Sequence, residues 1–144
     1  MPFDATSPMQ ALQALVTALP NMQTTYLGIP ASRTGRVVST ITLAGAVLEN
    51  KGAGQLIRHC RYFITFGYAI DQDTAAAELM LAGLVDALQA AWKADRTLSN
   101  TCASCTLDFH MADRPEYQMD AAQENRVYPI IADCVQYDSY PFPQ

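Results

Sequence analysis

The sequence LIRHCRYFITFGYAI, from Leu56 to Ile70, decides the fold. Most of its apolar residues lie two positions apart, and those on one side are Leu56, Cys60, Tyr62, Ile64, Phe66, Tyr68 and Ile70. The other side carries His59, Arg61 and Thr65. Because successive side chains of a β-strand point to opposite faces, this period predicts a long strand with one face in the core.

A second extended segment, residues 36–48, comes just before this strand. The gap Glu49–Gly54 holds two glycines, which favours a tight turn, so the two segments are expected to form a hairpin. Further upstream, residues 21–35 contain glycine and proline and predict a loop with a brief extended piece at Thr24–Leu27.

The N-terminal part predicts a short helix, Ser7–Leu19. Ser7 is expected to cap it, Pro8 fits the first helical position, and Gln10 follows three residues after the cap. Leucine and valine then recur at helical spacing until Pro20 ends the run.

A longer helix is predicted over Thr74–Lys93, with Asp71 and Asp73 placed to cap its start. One broad side is apolar: Ala76, Ala77, Met80, Gly83, Leu84, Ala87, Leu88, Ala91 and Trp92, widened by Leu81 and Val85. The polar strip is narrow: Glu78, Asp86, Gln89 and Lys93. Since one sheet face does not cover so wide an arc, the helix needs a second cover, either the first helix or a neighbouring subunit.

Two more strands complete the prediction. Thr101–Met111 alternates, with Ala103, Cys105, Leu107, Phe109 and Met111 inward and Cys102, Ser104, Thr106, Asp108 and His110 outward, and the last strand runs from about Arg126 to Tyr137. Between them the polar stretch Ala112–Asn125 predicts a long loop of the kind that often serves function. The expected fold class is α+β: a mainly antiparallel, four-stranded sheet in the order α-β-β-α-β-β, with two helices packed on one face.

The composition narrows the functional classes. With 144 residues, half of them apolar, the chain predicts a single domain over 1–144, with residues 137–144 as a flexible tail. A net charge of −5 argues against a surface that grips nucleic acid. The N-terminal segment has the features of neither a signal peptide nor a membrane span, so we expect a cytosolic chain whose four cysteines stay reduced.

No motif indicates catalysis. Cys102 and Cys105 have the spacing of a redox or zinc pair, but they fall in an alternating strand, where one thiol should be buried and the other exposed. His59, His110 and Asp108 lie on predicted polar faces without a nucleophile elbow, and no phosphate-binding glycine motif is present. We therefore expect no enzyme activity, no cofactor and no metal. A small thiol-dependent or hydrolytic enzyme stays as the alternative from another class.

The whole pattern resembles the tail terminator (tail completion, or minor tail) proteins of long, flexible-tailed bacteriophages. The resemblance lies in the order of the elements and in weak signatures: the first helix, Tyr26–Ala31, Arg61–Tyr68, the alanine-rich helix Thr74–Lys93, the turn Thr97–Asn100 and the closing strand to Tyr140. Many relatives end that turn in glycine, where this chain has Ser99-Asn100. Asparagine adopts the same left-handed backbone, so the departure is mild.

This resemblance implies a structural virion protein at the tail–head junction, assembled in the host cytoplasm. It implies a closed ring, usually a homohexamer, that caps the tail tube, stops its polymerisation and joins the tail to the head. The implied partners are other copies of the chain, the tail tube protein and the head–tail connector proteins. Genome DNA only passes through the lumen, and no membrane is involved. Another neck protein, a connector or a stopper, is the nearest alternative.

A ring requires two different patches on each subunit. The candidate patches are the wide apolar side of the second helix, the acidic loop and the aromatic tail. The residues expected to contact a neighbouring subunit or the tube are Leu81, Val85, Asp113, Arg114, Glu116, Tyr117, Asp120, Glu124, Tyr140 and Phe142. Each patch also has a simpler interpretation, because the first helix can cover the second and both loop and tail can be solvated.

Overall fold

A six-stranded sheet is built around the strand that the sequence singled out. The computed structural model describes residues 2–30, 35–70, 74–109, 116–120 and 123–139. The helices are α1 (Thr6–Thr17) and α2 (Thr74–Ala94). The strands are β1 (Thr24–Leu27), β2 (Val37–Gly52), β3 (Gln55–Ala69), β4 (Ser104–Asp108), β5 (Glu116–Asp120) and β6 (Gln123–Ser139).

The strand order is β1-β2-β3-β6-β4, and β5 also pairs with β6. The β1–β2 pair is parallel and every other pair is antiparallel. The α+β class and the mainly antiparallel sheet are therefore confirmed, while the predicted number of four strands is wrong. The observed element order is α-β-β-β-α-β-β-β.

Two short strands account for the difference. The brief extended piece at Thr24–Leu27 is β1, which adds in parallel to β2. Strand β5 lies inside the stretch that predicted a loop, and it pairs with the start of β6. It has no apolar alternation, because its four described side chains are all exposed, so backbone pairing rather than a buried face makes it a strand.

The predicted hairpin is confirmed and is longer than expected. Strands β2 and β3 pair from Val37–Tyr68 out to Gly52–Gln55, and the turn between them is Ala53-Gly54. Both turn residues have a positive φ, 53° and 74°. This is the backbone of a turn whose twist matches that of the flanking strands.

Both helices pack on one face of the sheet, around the predicted inward side of β3. Cys60, Tyr62, Ile64 and Phe66 are fully buried there. The helices contribute Leu12, Val16, Leu81, Leu84 and Leu88 to the same cluster. At about 1.5–3 kcal/mol for each large apolar side chain removed from water, this cluster is the main source of stability.

The chain before α1 is tied to the sheet through Gln136, which is 7% exposed. Its side-chain oxygen accepts hydrogen bonds from the Asp4 N–H (3.0 Å) and from Arg58 Nη2 (3.1 Å). Its amide nitrogen donates to the carbonyls of Asp4 (2.6 Å) and Thr101 (2.9 Å). One buried amide therefore joins the N-terminal segment, β3 and the turn before β4 to β6.

Helix α1 begins one residue earlier than predicted, and Ser7 is not its cap. The Asp4 carboxylate accepts hydrogen bonds from the Thr6 N–H (3.0 Å) and the Ser7 N–H (3.1 Å). Hydrogen bonds from the side chain and backbone of Ser7 hold the pKa of Asp4 below its usual value. A carboxylate whose pKa is lower in the folded than in the unfolded chain stabilises the fold at any pH above the unfolded pKa. This contribution is therefore present at neutral pH, and it is lost as the pH falls through the folded pKa.

A tight turn connects α2 to β4. Leu98, Ser99 and Asn100 all have a positive φ, which confirms the left-handed backbone expected at Asn100. The Asp95 carboxylate accepts a hydrogen bond from the Ser99 N–H at 3.0 Å, and the side chain of Leu98 is 1% exposed. The turn is therefore fixed by a local hydrogen bond and by an apolar anchor in the core.

The expected division of the thiols in this region is wrong. Cys102 precedes β4 and lies in the turn region, so strand alternation does not apply to it. It is buried, like Cys105, whereas Ala103, which was expected inward, is exposed. The expected caps of α2, Asp71 and Asp73, lie outside the described residues, as does His110.

Candidate interaction surface

Helix α2 is apolar on nearly every side. Ala77, Leu81, Leu84 and Leu88 are buried against the core, while Leu79, on the opposite side, is 76% exposed. By length and composition alone the helix could cross a membrane, with a mean hydropathy of 1.2 over an 18-residue window. In the fold its buried side packs on β3 and β6 instead.

Helix α1 packs against one flank of α2. The first helix, one of the two elements expected to cover α2, therefore covers it in part and leaves another part exposed to solvent. The exposed part includes Leu79, Ala82 and Gly83, and we call these three residues the α2 ridge. Gly83 was expected on the inward side, and its exposure is a correction to that assignment.

A groove lies on each side of the α2 ridge. The first groove, of about 230 Å³, lies between α2 and β6 and is lined by Glu78, Leu81, Ala82, Val85, Asp86, Arg126 and Tyr128. The second, of about 370 Å³, lies between α2 and the segment that follows α1 and is lined by Pro20, Asn21, Ala76, Leu79, Met80, Gly83 and Leu84. A ridge between two grooves is a shape that a complementary protein surface can grip.

A paired arginine forms one wall of the first groove. Arg126 is 7% exposed, and its Nε donates to Glu78 Oε1 at 2.5 Å. Its guanidinium also donates to the Val127 carbonyl and lies over the Tyr117 ring, 5.8 Å from the centroid. The Glu78 carboxylate and the Val127 carbonyl thus compensate the buried charge of Arg126. The arginine does not require an anionic ligand in the groove.

The structure brings some of the predicted contact residues together around this groove. Val85 is half-buried and lines it, and Leu81 lines it from the core with 2% exposure. Tyr117, 47% exposed, reaches it through its contact with Arg126, its partner across the β5–β6 pair. Glu116 and Glu124 belong to the same two strands and are exposed.

The other predicted contact residues are not placed at the groove. Asp120 ends β5, and its side chain is not among those described. Asp113, Arg114, Tyr140 and Phe142 lie outside the described residues.

Leu79 was not among the residues predicted from the sequence. It lies about 180° from the buried side of α2, outside the predicted apolar arc. A large apolar residue that falls on the solvent side of an amphipathic pattern is the signal that would have found it. The structure adds Met119, which is 69% exposed on β5.

On the face of the sheet that the helices leave open, His59 and Arg61 lie beside carboxylates. His59 Nδ1 lies 3.3 Å from the Asp133 carboxylate, and Arg61 Nε lies 3.8 Å from it. Glu49 lies on the other side of His59, 3.9 Å from Nε2. The imidazole thus faces two carboxylates rather than a hydroxyl or a thiol, which is not the arrangement that activates a nucleophile. In the part of the chain that the structure describes, no three His, Cys, Asp or Glu residues are placed to hold a metal ion.

The comparisons with known proteins bear on the fold. No protein-family model matches the sequence, and no curated protein matches it. Among solved structures, the chain is similar to the cryo-EM structure of an extracellular contractile injection system, the PVC sheath/tube terminator in its extended state. The two are 15% identical with a TM-score of 0.51. The chain therefore has a terminator-like fold.

The match covers 100% of this chain and 62% of the other, so this chain spans about three fifths of the length of that terminator. At this identity the likeness concerns the arrangement of helices and strands. Side chains such as Leu79 and Arg126 have to be interpreted from this structure itself.

Proposed function

We propose that this protein is a structural tail terminator, a subunit that forms a ring on the end of a tail tube and stops its growth. The observation that carries the proposal is the likeness of the whole chain to a sheath/tube terminator. The α2 ridge and its two grooves support it, since they give the subunit an exposed apolar ridge beside two grooves that another protein surface can fill.

A ring forms when one patch of each subunit binds a different patch of the next subunit and the last subunit contacts the first. We assign the α2 ridge to one patch and the exposed side of β5, with Tyr117 and Met119, to another. The ridge carries apolar surface on a rigid helix, so little conformational entropy is lost when it is covered. Six subunits, the number that the sequence resemblance implies, are the expected ring size.

Termination then needs no chemistry. One face of the ring resembles a further tube ring closely enough to dock, while its opposite face lacks the surface that the next tube subunit requires. In a bacteriophage this opposite face would receive the head–tail connector proteins, and the ring would lie at the tail–head junction after assembly in the host cytoplasm.

Two other functions compete with this one. A connector or stopper in the same neck would also form a ring, and it would co-purify with filled heads that lack tails rather than with tails that lack heads. A thiol-dependent enzyme would need its cysteines for activity, whereas on our account replacing Cys102 and Cys105 together with serine leaves tube capping intact.

Adding the purified protein to its polymerising tube subunits is expected to shorten the tubes, because each docked ring removes one growing end. Tube lengths measured by negative-stain electron microscopy test this. Bovine serum albumin at the same concentration is the control. A length distribution that does not change as the added protein increases would contradict the proposal.

A further inference from the structure

The outer half of β2 is an open edge of the sheet. Among the strands that the structure describes, only β1 and β3 pair with β2, and β1 ends opposite Ile41. Pairing with β3 continues from there to Gly52. From Leu43 to Leu48, β2 therefore has β3 on one side and none of the described strands on the other. We call these six residues, with the sequence LAGAVL, the β2 edge.

The hydrogen-bond pattern of the sheet shows which backbone groups the β2 edge presents. The Val135 carbonyl accepts a hydrogen bond from the chain entering β4, at 2.8 Å, so the backbone groups of Val135 point away from β3. Those of its partner His59 then point toward β2, where they meet Val47. Because the direction alternates along an antiparallel strand, the N–H and C=O groups of Ala46 and Leu48 point outward, away from β3.

The β2 edge is also apolar and lacks the usual protection. Its large side chains are exposed: Leu43 (55%), Val47 (45%) and Leu48 (58%). Proteins commonly blunt an edge strand with charged residues or proline, and the β2 edge has neither. The charges that follow it, Glu49 and Lys51, pair with each other at 3.1 Å. One register shift, between Leu43 and Gly45, separates the edge from the part of β2 that pairs with β1. Such a strand can accept a further strand through its backbone.

The β2 edge lies far from the two patches assigned to the ring. Its middle, Ala46, is opposite Cys60, whereas the middle of β5 is level with Ala69 across β6. These two β3 residues are nine positions apart, which is about 30 Å at the rise of a β-strand. The α2 ridge lies at the β5 end, because the adjacent Glu78 binds Arg126 near the start of β6. The contacts assigned to the ring therefore do not use the β2 edge.

We propose that the β2 edge is the surface by which the ring docks on the tail tube, and that a tube subunit supplies an extended, uncharged strand that pairs with it. Backbone hydrogen bonds to Ala46 and Leu48 hold the added strand, and its apolar side chains lie beside Leu43, Val47 and Leu48. The inference rests on the proposed function, since it names the surface by which a terminator meets its tube.

The chemistry of the edge decides the kind of strand that fits. A charged side chain placed against the apolar edge would lose water without gaining a partner, so the added strand has to be uncharged. Strand β5 of another copy is a poorer occupant, because its ends are Glu116 and Asp120.

The test compares ring mass and tube length in one variant. Leu48→Lys places a charge on the edge, as natural edge strands do, and should keep the ring mass of the wild type in light scattering. It should need roughly tenfold more protein than the wild type to shorten tubes assembled from the tail-tube subunits. Ile29→Lys is the matched control, since Ile29 is 80% exposed and lies outside β2. It should shorten the tubes as the wild type does.

Hydrogen exchange of the wild type gives a second measurement that needs no variant. The amides of residues 43–48 should exchange at least about tenfold more slowly in rings bound to tubes than in free rings, because the added strand covers them.

The outcomes separate this inference from the proposed function. If Leu48→Lys shortens tubes as well as the wild type, or if residues 43–48 exchange equally fast in free and bound rings, the inference is wrong while the terminator function stands. Loss of the ring in a folded Leu48→Lys would show that the edge binds another copy, which also overturns it. If the wild type itself leaves tube lengths unchanged, the proposed function fails and this inference fails with it. Exchange in the wild type decides the question even if Leu48→Lys does not fold.

Discussion

Replacing Leu79 with aspartate is expected to convert the assembled ring into monomers of 15.7 kDa. Leu79 is the most exposed large apolar residue described on α2, at 76%, and it stands between the two grooves. An aspartate there would carry an unpaired carboxylate into the contact. Burying it costs at least about 3 kcal/mol, which is more than a hundredfold in the dissociation constant of each contact. Size-exclusion chromatography with multi-angle light scattering measures the change.

The folded subunit should tolerate this substitution. Since the side chain is largely in solvent, the loss is limited to helix propensity, about 0.5 kcal/mol. Ile29→Asp is the matched control: Ile29 is 80% exposed and lies outside α2. It should leave the ring intact. Equal loss of assembly in both variants, or a full-sized ring in Leu79→Asp, would show that the α2 ridge is not a subunit contact.

Gln136→Ala is expected to be strongly destabilising, by about 2–4 kcal/mol, because it removes a buried amide and leaves several of its partners without hydrogen bonds. The Asp4 N–H and carbonyl and the Thr101 carbonyl each lose a partner at 2.6–3.0 Å. The N-terminal segment should also loosen at Asp4, while the hydrogen bond from the Tyr62 hydroxyl to the Ala5 carbonyl (2.6 Å) and the contact of Arg58 with the Phe3 ring still hold it to β3.

Two measurements follow this change. Thermal unfolding should give a midpoint lower by roughly 5–15 °C, and hydrogen exchange should become faster at residues 4–7. Gln89→Ala, on the exposed side of α2, is the matched control and should change the midpoint little. If Gln136→Ala melts like the wild type, the N-terminal segment is held by contacts other than this amide.

The sequence predicted the parts of the fold that follow from a regular apolar period. The inward face of β3 and the helix predicted over Thr74–Lys93 were found in this way, and the hairpin with β2 followed from the two glycines between the strands. Strand β5 was missed, because its pairing with β6 uses backbone groups and its side chains carry no pattern. A strand that forms only by backbone pairing with a neighbour can be predicted only when the position of that neighbouring strand is known.

The candidate surface was predicted in outline and missed in detail. The width of the apolar arc on α2 showed correctly that one sheet face does not cover the helix. Leu81 was chosen as a residue that widens this arc, yet it is 2% exposed, because it packs against the core with Ala77, Leu84 and Leu88. The bare residues lie on the opposite side, where Leu79 stands. Which side is left bare depends on where α1 packs, and local sequence does not contain that information.

The thiols show the same limit. Strand alternation placed Cys102 outward, but a turn with three residues of positive φ precedes β4 and leaves Cys102 buried. Alternation applies only within a strand, and local sequence does not show that β4 begins at Ser104.

The mass of the purified wild-type protein in solution is the most direct test of the claim that this chain works as a ring. Multi-angle light scattering over a range of concentrations is expected to give one species of six times the 15.7 kDa chain mass, and negative-stain images should show rings with a central hole. A species that stays monomeric at the highest concentrations reached, both alone and with tube subunits added, would contradict the account.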